Sequence, residues 1–239
     1  MIDYTKDNDG IATISFNMTD SPVNVLNTES LNAFEERINE ALADKEVKGI
    51  IITSGKNDFI AGGDLNLIFS LNEPQEIMQR IGRFHAMLRK METGGKPVVA
   101  AINGTALGGG FELCLACHHR IAVSDPKIQI GLPEVMLGLL PGGGGTQRLP
   151  RMIGIQPALQ PLMEGRKQRP QQALDLGMID ALAETKEELI SASKKWLQEV
   201  GNAVQPWDKE KFKIPGGGVD TPDNAMVLVA AAGLLLKKT

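Results

Sequence analysis

Two glutamates and two glycine turns are the features of this sequence that could act together chemically. Glu112 stands in Gly108-Gly-Gly-Phe-Glu-Leu-Cys-Leu-Ala116, among apolar neighbours. A carboxylate there loses part of its hydration, which raises its pKa and suits it to exchanging protons near neutral pH. The same residue also fits the first turn of an ordinary helix, where the dipole favours an acid. Glu134 follows Pro133 in Gly131-Leu-Pro-Glu-Val-Met136, again an acid in apolar company, although Pro followed by Glu is also how many helices start. Ala61-Gly-Gly-Asp64 and Gly108-Gly-Gly110 supply backbone that can approach a ligand closely. Two such turns could aim two N–H groups at one carbonyl oxygen, as an oxyanion hole does, or be tight turns with no ligand.

The elements that must position these residues read as an α/β pattern. Ile11–Phe16 and Val47–Thr53 have the β-branched enrichment and length of strands. Between them the spacing predicts a helix capped by Asn27 or Thr28, with Leu31, Phe34, Ile38 and Leu42 on one face. A second helix is expected over Pro74–Met91, with Ile77, Ile81, Phe84 and Leu88 on one side. Pro97–Ile102 then reads as a buried strand leading into Asn103–Gly110, and a strand-to-glycine-turn-to-helix junction is a common place for a site. A helix over Phe111–Ala116, a strand over His119–Ser124 and a loop-rich region over Leu132–Arg148 follow. Helices are expected at Gln156–Met163, Pro170–Leu176 and Lys186–Val200. Pro and Gly at Gln205–Asp208 and Ile214–Gly218 mark a linker, and a short apolar helix is expected from Asp223. The division is therefore a catalytic domain over 1–200 and a linker-like segment with a C-terminal helix over 201–239.

Composition narrows the partners. A net charge of −4 and a pI near 5.5 give no general attraction to nucleic acid or anionic membrane. Cysteine occurs only at Cys114 and Cys117, and the N-terminus MIDYTKDNDG lacks the features of a signal peptide, so a cytoplasmic setting is expected. The apolar run Ala225–Leu236 falls short of the roughly 20 residues that span a bilayer, and no membrane span is expected.

Four stretches together resemble successive motifs of the crotonase (enoyl-CoA hydratase/isomerase) superfamily in both order and spacing. They are Phe59-Ile-Ala-Gly-Gly-Asp64, Asn103-Gly-Thr-Ala-Leu-Gly-Gly-Gly-Phe-Glu-Leu113, Pro133-Glu-Val-Met-Leu-Gly138 and Pro141-Gly-Gly-Gly-Gly-Thr-Gln-Arg148. The resemblance implies an α/β, ClpP-like ββα spiral core with a helical C-terminal region that often mediates trimers. It also implies roles: the N–H groups of Gly63 and Gly109 on a thioester oxygen, Glu112 activating water, and Glu134 delivering a proton to the α-carbon. Ala61, Asp64 and Leu26 are assigned to substrate binding. Leu26, Leu67 and Leu137 are candidates for the acyl pocket, although such leucines more often belong to a core.

Isomerases of the superfamily can work with the glutamate matching Glu134 alone, whereas hydratases usually have both. The implied reaction is therefore hydration of trans-2-enoyl-CoA to 3-hydroxyacyl-CoA in fatty-acid β-oxidation. The alternatives are Δ3-Δ2 enoyl-CoA isomerisation and a non-catalytic acyl-CoA-binding subunit. Pro206-Trp-Asp208 with Phe212-Lys-Ile-Pro-Gly-Gly217 resembles the linker after the hydratase part of multifunctional fatty-acid oxidation enzymes. No G-x-G-x-x-G fingerprint follows a strand, so a hydratase-only fragment or truncated relative is expected, with no NAD site and no cofactor, CoA being part of the substrate. The expected partners are an acyl-CoA thioester and either further copies of the chain (a trimer or dimer of trimers) or a larger β-oxidation complex.

Other signals are set aside. Cys114-Leu-Ala-Cys117 has redox or metal spacing without a second pair, and adjacent His118 and His119 point to opposite faces of a strand. The run Gly142–Gly145 lacks the Lys-Ser or Lys-Thr of a nucleotide loop and is better explained by its motif position beside Glu134. Arg166-Lys-Gln-Arg169 could meet CoA phosphates or be a solvated face. No Gly-x-Ser-x-Gly elbow or Ser-His-Asp arrangement points to a serine hydrolase.

Overall fold

The computed structural model describes residues 1–235. Its first half comprises β1 (Ile2–Lys6), β2 (Ile11–Phe16), α1 (Thr28–Ala43), β3 (Gly49–Ser54), α2 (Leu65–Ser70), α3 (Pro74–Thr93), β4 (Val98–Ile102), β5 (Ala106–Leu107) and α4 (Gly109–Ala116). There follow β6 (His119–Val123), β7 (Ile130–Gly131), a 3₁₀ turn (Glu134–Leu137), α5 (Gly145–Ile153), α6 (Ile155–Met163), α7 (Pro170–Asp175), β8 (Ala181–Ala183), α8 (Lys186–Glu199), a second 3₁₀ turn (Pro206–Asp208) and α9 (Pro222–Leu235).

β3 and β4 are buried at every position, as strands covered on both faces must be, and they form the centre of a sheet ordered β1-β2-β3-β4-β6-β8. β1 and β2 are antiparallel, and the remaining pairs of this sheet are parallel. On one face lies the main core. α1 belongs to it: Asn27 caps the helix in a reciprocal capping box with Ser30, and Phe34, Ile38 and Ala41 turn inward. The Phe34 ring meets that of Phe16 at 5.1 Å between centroids. On the other face Leu189 and Leu197 of α8 pack on Ile11, Ile51, Val99 and Ile121.

The expected α/β spiral is visible in how the chain advances. After β3 it makes a bridge at Ile60 and then enters α2 and α3. After β4 it makes β5 and α4, and after β6 it makes β7, the 3₁₀ turn and α5. Each turn thus adds one strand to the large sheet, a short stretch to a second layer and then a helix. The second layer is held by β5 pairing with β7, Ile60 with Ala106 and Leu26 with Gly63, all parallel. Those short pairings set the distance between the two glycine turns.

Several elements differ from the sequence expectation. β1, β5, β7, β8 and α2 are additional, because they are short or owe their burial to non-local partners, and α5 begins at Gly145 inside the stretch expected to be loop-rich. The segment after residue 200 is fastened to the body: the Gln205 amide donates to the carbonyls of Ala116 and Cys117, both at 3.0 Å, and Asp208 pairs with Arg89 at 3.0 Å. Residues 236–239 of the expected C-terminal segment lie outside the described residues. Among the described residues no helix is long and apolar enough to cross a membrane.

Gly110 shows how tightly the layers meet. A Cβ there would lie 2.7 Å from Cβ and 2.9 Å from Cγ2 of Ile60. Helix propensity favours Ala over Gly by roughly 1 kcal/mol, whereas overpacking costs about 1–3 kcal/mol. Gly110→Ala should therefore lower the urea midpoint, and Gly110→Val should lower it further. A more stable Gly110→Ala protein would show that the two layers are not in close contact here.

Candidate active site

The spiral gathers distant stretches around one cavity of about 860 Å³. Each residue assigned to the site from sequence borders it: Glu112, Glu134, Gly63, Gly109, Ala61, Asp64 and Leu26. Leu67 and Leu137, named with Leu26 as candidates for the acyl pocket, border it as well, although such leucines more often belong to a core; Leu137 is 46% exposed. They are left uncovered because α2 has no buried residue and Leu137 ends a 3₁₀ turn at the cavity mouth.

Glu112 lies in the first turn of α4 and is 2% exposed. The Gly145 N–H donates to its Oε1 at 2.7 Å, and the Gly143 N–H also serves this carboxylate. Neither glycine has room for a side chain. A Cβ on Gly143 would lie 2.6 Å from Glu112 Oε2, and one on Gly145 would lie 2.8 Å from Leu132 Cδ1. The run Gly142–Gly145, expected to belong with Glu134, is thus the cradle of Glu112. Burial pushes the Glu112 carboxyl above its ordinary range, while the Gly145 and Gly143 amides, then Arg148 and His85, pull the other way.

Glu134 has different surroundings. It opens the 3₁₀ turn after Pro133, and its Oε2 is buried with no hydrogen-bond partner among the described residues. Burial, and then the negative charge of Glu112, push its pKa up to about 7. Opposite it is Gly108, where a Cβ would lie 3.2 Å from Glu134 Oε1 and where φ is +52°, so glycine is required twice over.

Between these acids lie two free amides. The N–H groups of Gly63 and Gly109 donate to no acceptor among the described residues, although Asp64 N and Gly108 N beside them are engaged. Leu26 N donates to Gly62 O at 2.8 Å, Asp64 N to Leu26 O at 3.0 Å, and Gly108 N to Gly131 O at 2.9 Å. Gly109 is the first residue of α4, so its N–H is one of the helix's unsatisfied donors and carries the positive end of the dipole. A Cβ on Gly109 would lie 3.8 Å from Gly63 N, which puts the two donors on one edge of the cavity. An oxygen reaching both would have its developing charge stabilised. Asp64 contributes differently, since its carboxylate caps α2 by accepting from Asn66 N at 2.9 Å and Leu67 N at 3.3 Å.

The remaining signals lie elsewhere. Arg166, Lys167 and Arg169 are exposed and do not border the cavity. Cys114 and Cys117 are buried free thiols, and burial pushes Cys117 up to about 12. His118 accepts from Val98 N at 3.1 Å, whereas His119 stacks on Trp196 at 4.5 Å on the other side of the strand. Sequence reading missed Gly143 and Gly145 as partners of Glu112; the motif containing them was the only signal.

A family model described as Enoyl-CoA hydratase/isomerase matches residues 6–209. The chain is 42% identical over 177 residues to the fatty acid oxidation complex subunit alpha of Shewanella halifaxensis (strain HAW-EB4), covering 74% of this chain and 25% of that protein. It is 40% identical over 201 residues to the subunit of the same name from Shewanella frigidimarina (strain NCIMB 400), covering 82% and 28%. The chain thus spans between a quarter and a third of the length of these relatives. Among solved structures, an enoyl-CoA hydratase from Bacillus anthracis superposes with a TM-score of 0.76 at 30% identity, covering 83% of this chain and 76% of that one. An enoyl-CoA hydratase from Thermoplasma volcanium GSS1 gives 0.77 at 26% identity, covering 83% and 77%.

The Glu134 environment has a consequence for stability. Its ordinary pKa is 4.5 and its folded value about 7, so between these the folded chain keeps a proton that the unfolded chain has released. Raising the pH through this window withdraws stability, and above about 7 this group adds no further change. Urea unfolding of wild type and Glu134→Gln at pH values between about 5 and 8 should show the variant gaining on the wild type up to about pH 7 and then running parallel. Parallel curves throughout would mean that Glu134 titrates near its ordinary value.

Proposed function

The chain belongs to the enoyl-CoA hydratase/isomerase family, and we propose that it hydrates trans-2-enoyl-CoA thioesters to 3-hydroxyacyl-CoA. The observation that carries this reading is that two carboxylates on one cavity have unlike surroundings. Glu112 receives backbone N–H groups, which suit an anion, whereas Glu134 has a buried oxygen without a donor and a pKa pushed up to about 7, which suits a protonated acid. Unlike environments of this kind separate a base from an acid.

In this mechanism the thioester oxygen accepts the N–H groups of Gly63 and Gly109. Glu112 takes a proton from water as the water oxygen bonds to the β-carbon, and electron density moves through the α-carbon onto the thioester oxygen. The two amides stabilise that enolate. Glu134 then protonates the α-carbon, so that one water has been added across the double bond. Glu112 ends protonated and Glu134 ionised, and proton exchange with solvent resets the pair. No cofactor is required for these steps, CoA arriving as part of the substrate.

The name of the Shewanella relatives supports assigning this hydration to fatty-acid β-oxidation within a larger complex; a homo-oligomer such as a trimer or dimer of trimers is the other assembly that the sequence resemblance implies. Free buried thiols are consistent with a cytoplasmic setting.

Crotonyl-CoA tests the proposal through loss of its conjugated enoyl absorbance. The wild type should consume the absorbance, and Glu112→Gln and Glu134→Gln should each lower kcat by about 10²–10⁴ while leaving the urea midpoint close to wild type or above it. Turnover of a 3-enoyl-CoA without hydration would favour an isomerase, and no absorbance change at high enzyme concentration would favour a non-catalytic binder. Near-full activity in either variant would remove that glutamate from the mechanism.

A further inference from the structure

Behind Glu112 lies a buried charge pair that the mechanism does not use. Arg148 of α5 is 8% exposed; its Nε donates to Glu92 Oε1 at 2.6 Å and its Nη1 to Gly143 O at 3.0 Å. Gly143 and Gly145 are the residues whose amides serve Glu112. One guanidinium therefore links a buried acid in α3 to the turn that cradles the proposed base. Gly144 completes the arrangement with φ of +102°, and a Cβ there would collide with Arg148 Nη1.

Glu92 is itself fixed. Its side chain is fully buried, and its second oxygen accepts from Arg89 Nη1 at 2.6 Å. Arg89 in turn donates to both oxygens of Asp208, at 3.0 and 3.1 Å. Taking such charges out of water is costly, and an apolar pair of similar volume often serves stability equally well. An apolar pair could not, however, hold the Gly143 carbonyl or leave a cation beside Glu112.

We infer that Arg148 is a positioning residue for the hydration: through Gly143 it fixes the turn whose amides bind the Glu112 carboxylate, and Glu92 fixes Arg148. The inference rests on reading Glu112 as the base. The groups facing Glu112 are the Gly143 and Gly145 amides and Arg148 from α5 and its leading turn, Phe84 and His85 from α3, and Glu134 from the 3₁₀ turn. With Arg148 gone, the anion remains desolvated by burial and loses the cation that most favours its charged form. Its proton should therefore be held more tightly.

The test uses Arg148→Met combined with Glu92→Leu, which removes both charges and avoids stranding one of them. The readouts are urea unfolding, crotonyl-CoA kinetics across pH, and a carboxyl NMR titration of protein labelled with ¹³C-glutamate, the Glu112 signal being assigned by its loss in Glu112→Gln. The double variant should keep a near-wild-type urea midpoint, lose about 10-fold or more in kcat with KM within about 3-fold, and titrate Glu112 at higher pH. If it does not fold, Arg148→Lys decides. That variant keeps a cation for Glu92 without the fork that also reaches Gly143, and should show the same changes in smaller measure. A folded double variant, or Arg148→Lys, with wild-type kcat and an unmoved Glu112 titration would overturn the inference. If the wild type hydrates no enoyl-CoA, the functional reading fails separately, and the NMR titration alone decides whether Arg148 governs Glu112.

Discussion

Two carboxylates must share a cavity that excludes much of its water, and each makes the other harder to ionise. Glu112 and Glu134 meet this constraint by asymmetry. The first is buried yet supplied with a 2.7 Å bond from the Gly145 amide, while the second keeps a buried oxygen with no donor among the described residues. Had both been given amides, both would tend to ionise and repel. Had neither, both would hold protons and no base would remain. Most of the unusual local geometry follows from supporting one anion and leaving the other acid unsupported.

The glycines are where that geometry becomes visible. Gly143 and Gly145 are kept bare by the Glu112 carboxylate and by the side chains of Phe84 and Leu132, whereas Gly108 is kept bare by Glu134. Gly63 and Gly109 leave their N–H groups unpaired on the same edge. Parallel pairing sets that spacing. Each turn of the spiral places a short second-layer stretch beside the previous one, through Leu26 with Gly63, Ile60 with Ala106, and β5 with β7. The two free amides are thus positioned by backbone pairing, which tolerates little variation in distance.

Much of this was legible in the sequence where the cause is local. α1 could be read because Asn27 caps it and Phe34 and Ile38 recur at helical spacing, and β4 because its apolar run is continuous. The site residues were legible only as parts of linked motifs, since each glycine or glutamate alone fits an ordinary turn or helix start. What could not be read depends on distant partners. β1 buries only Ile2, so its strand character rests on pairing with β2. β5 and β7 are two residues each and exist through one another. Gly145 and Glu112 are 33 residues apart, and Arg148 and Glu92 are 56 apart; nothing local in either stretch announces its partner. Leu67 and Leu137 could be named as pocket candidates but not told from core residues for the same reason, because composition does not tell a covered leucine from one that lines a cavity.

The proposed hydration requires one acid ionised and the other protonated at its start. The pH dependence of kcat/KM for crotonyl-CoA hydration tests it most directly, because it reports the essential base and acid of the free enzyme as apparent values of the coupled pair. The profile should be bell-shaped, with an alkaline limb at about pH 7 that is lost from the residual activity of Glu134→Gln. A profile flat across this range, or an alkaline limb that persists unchanged in Glu134→Gln, would contradict it.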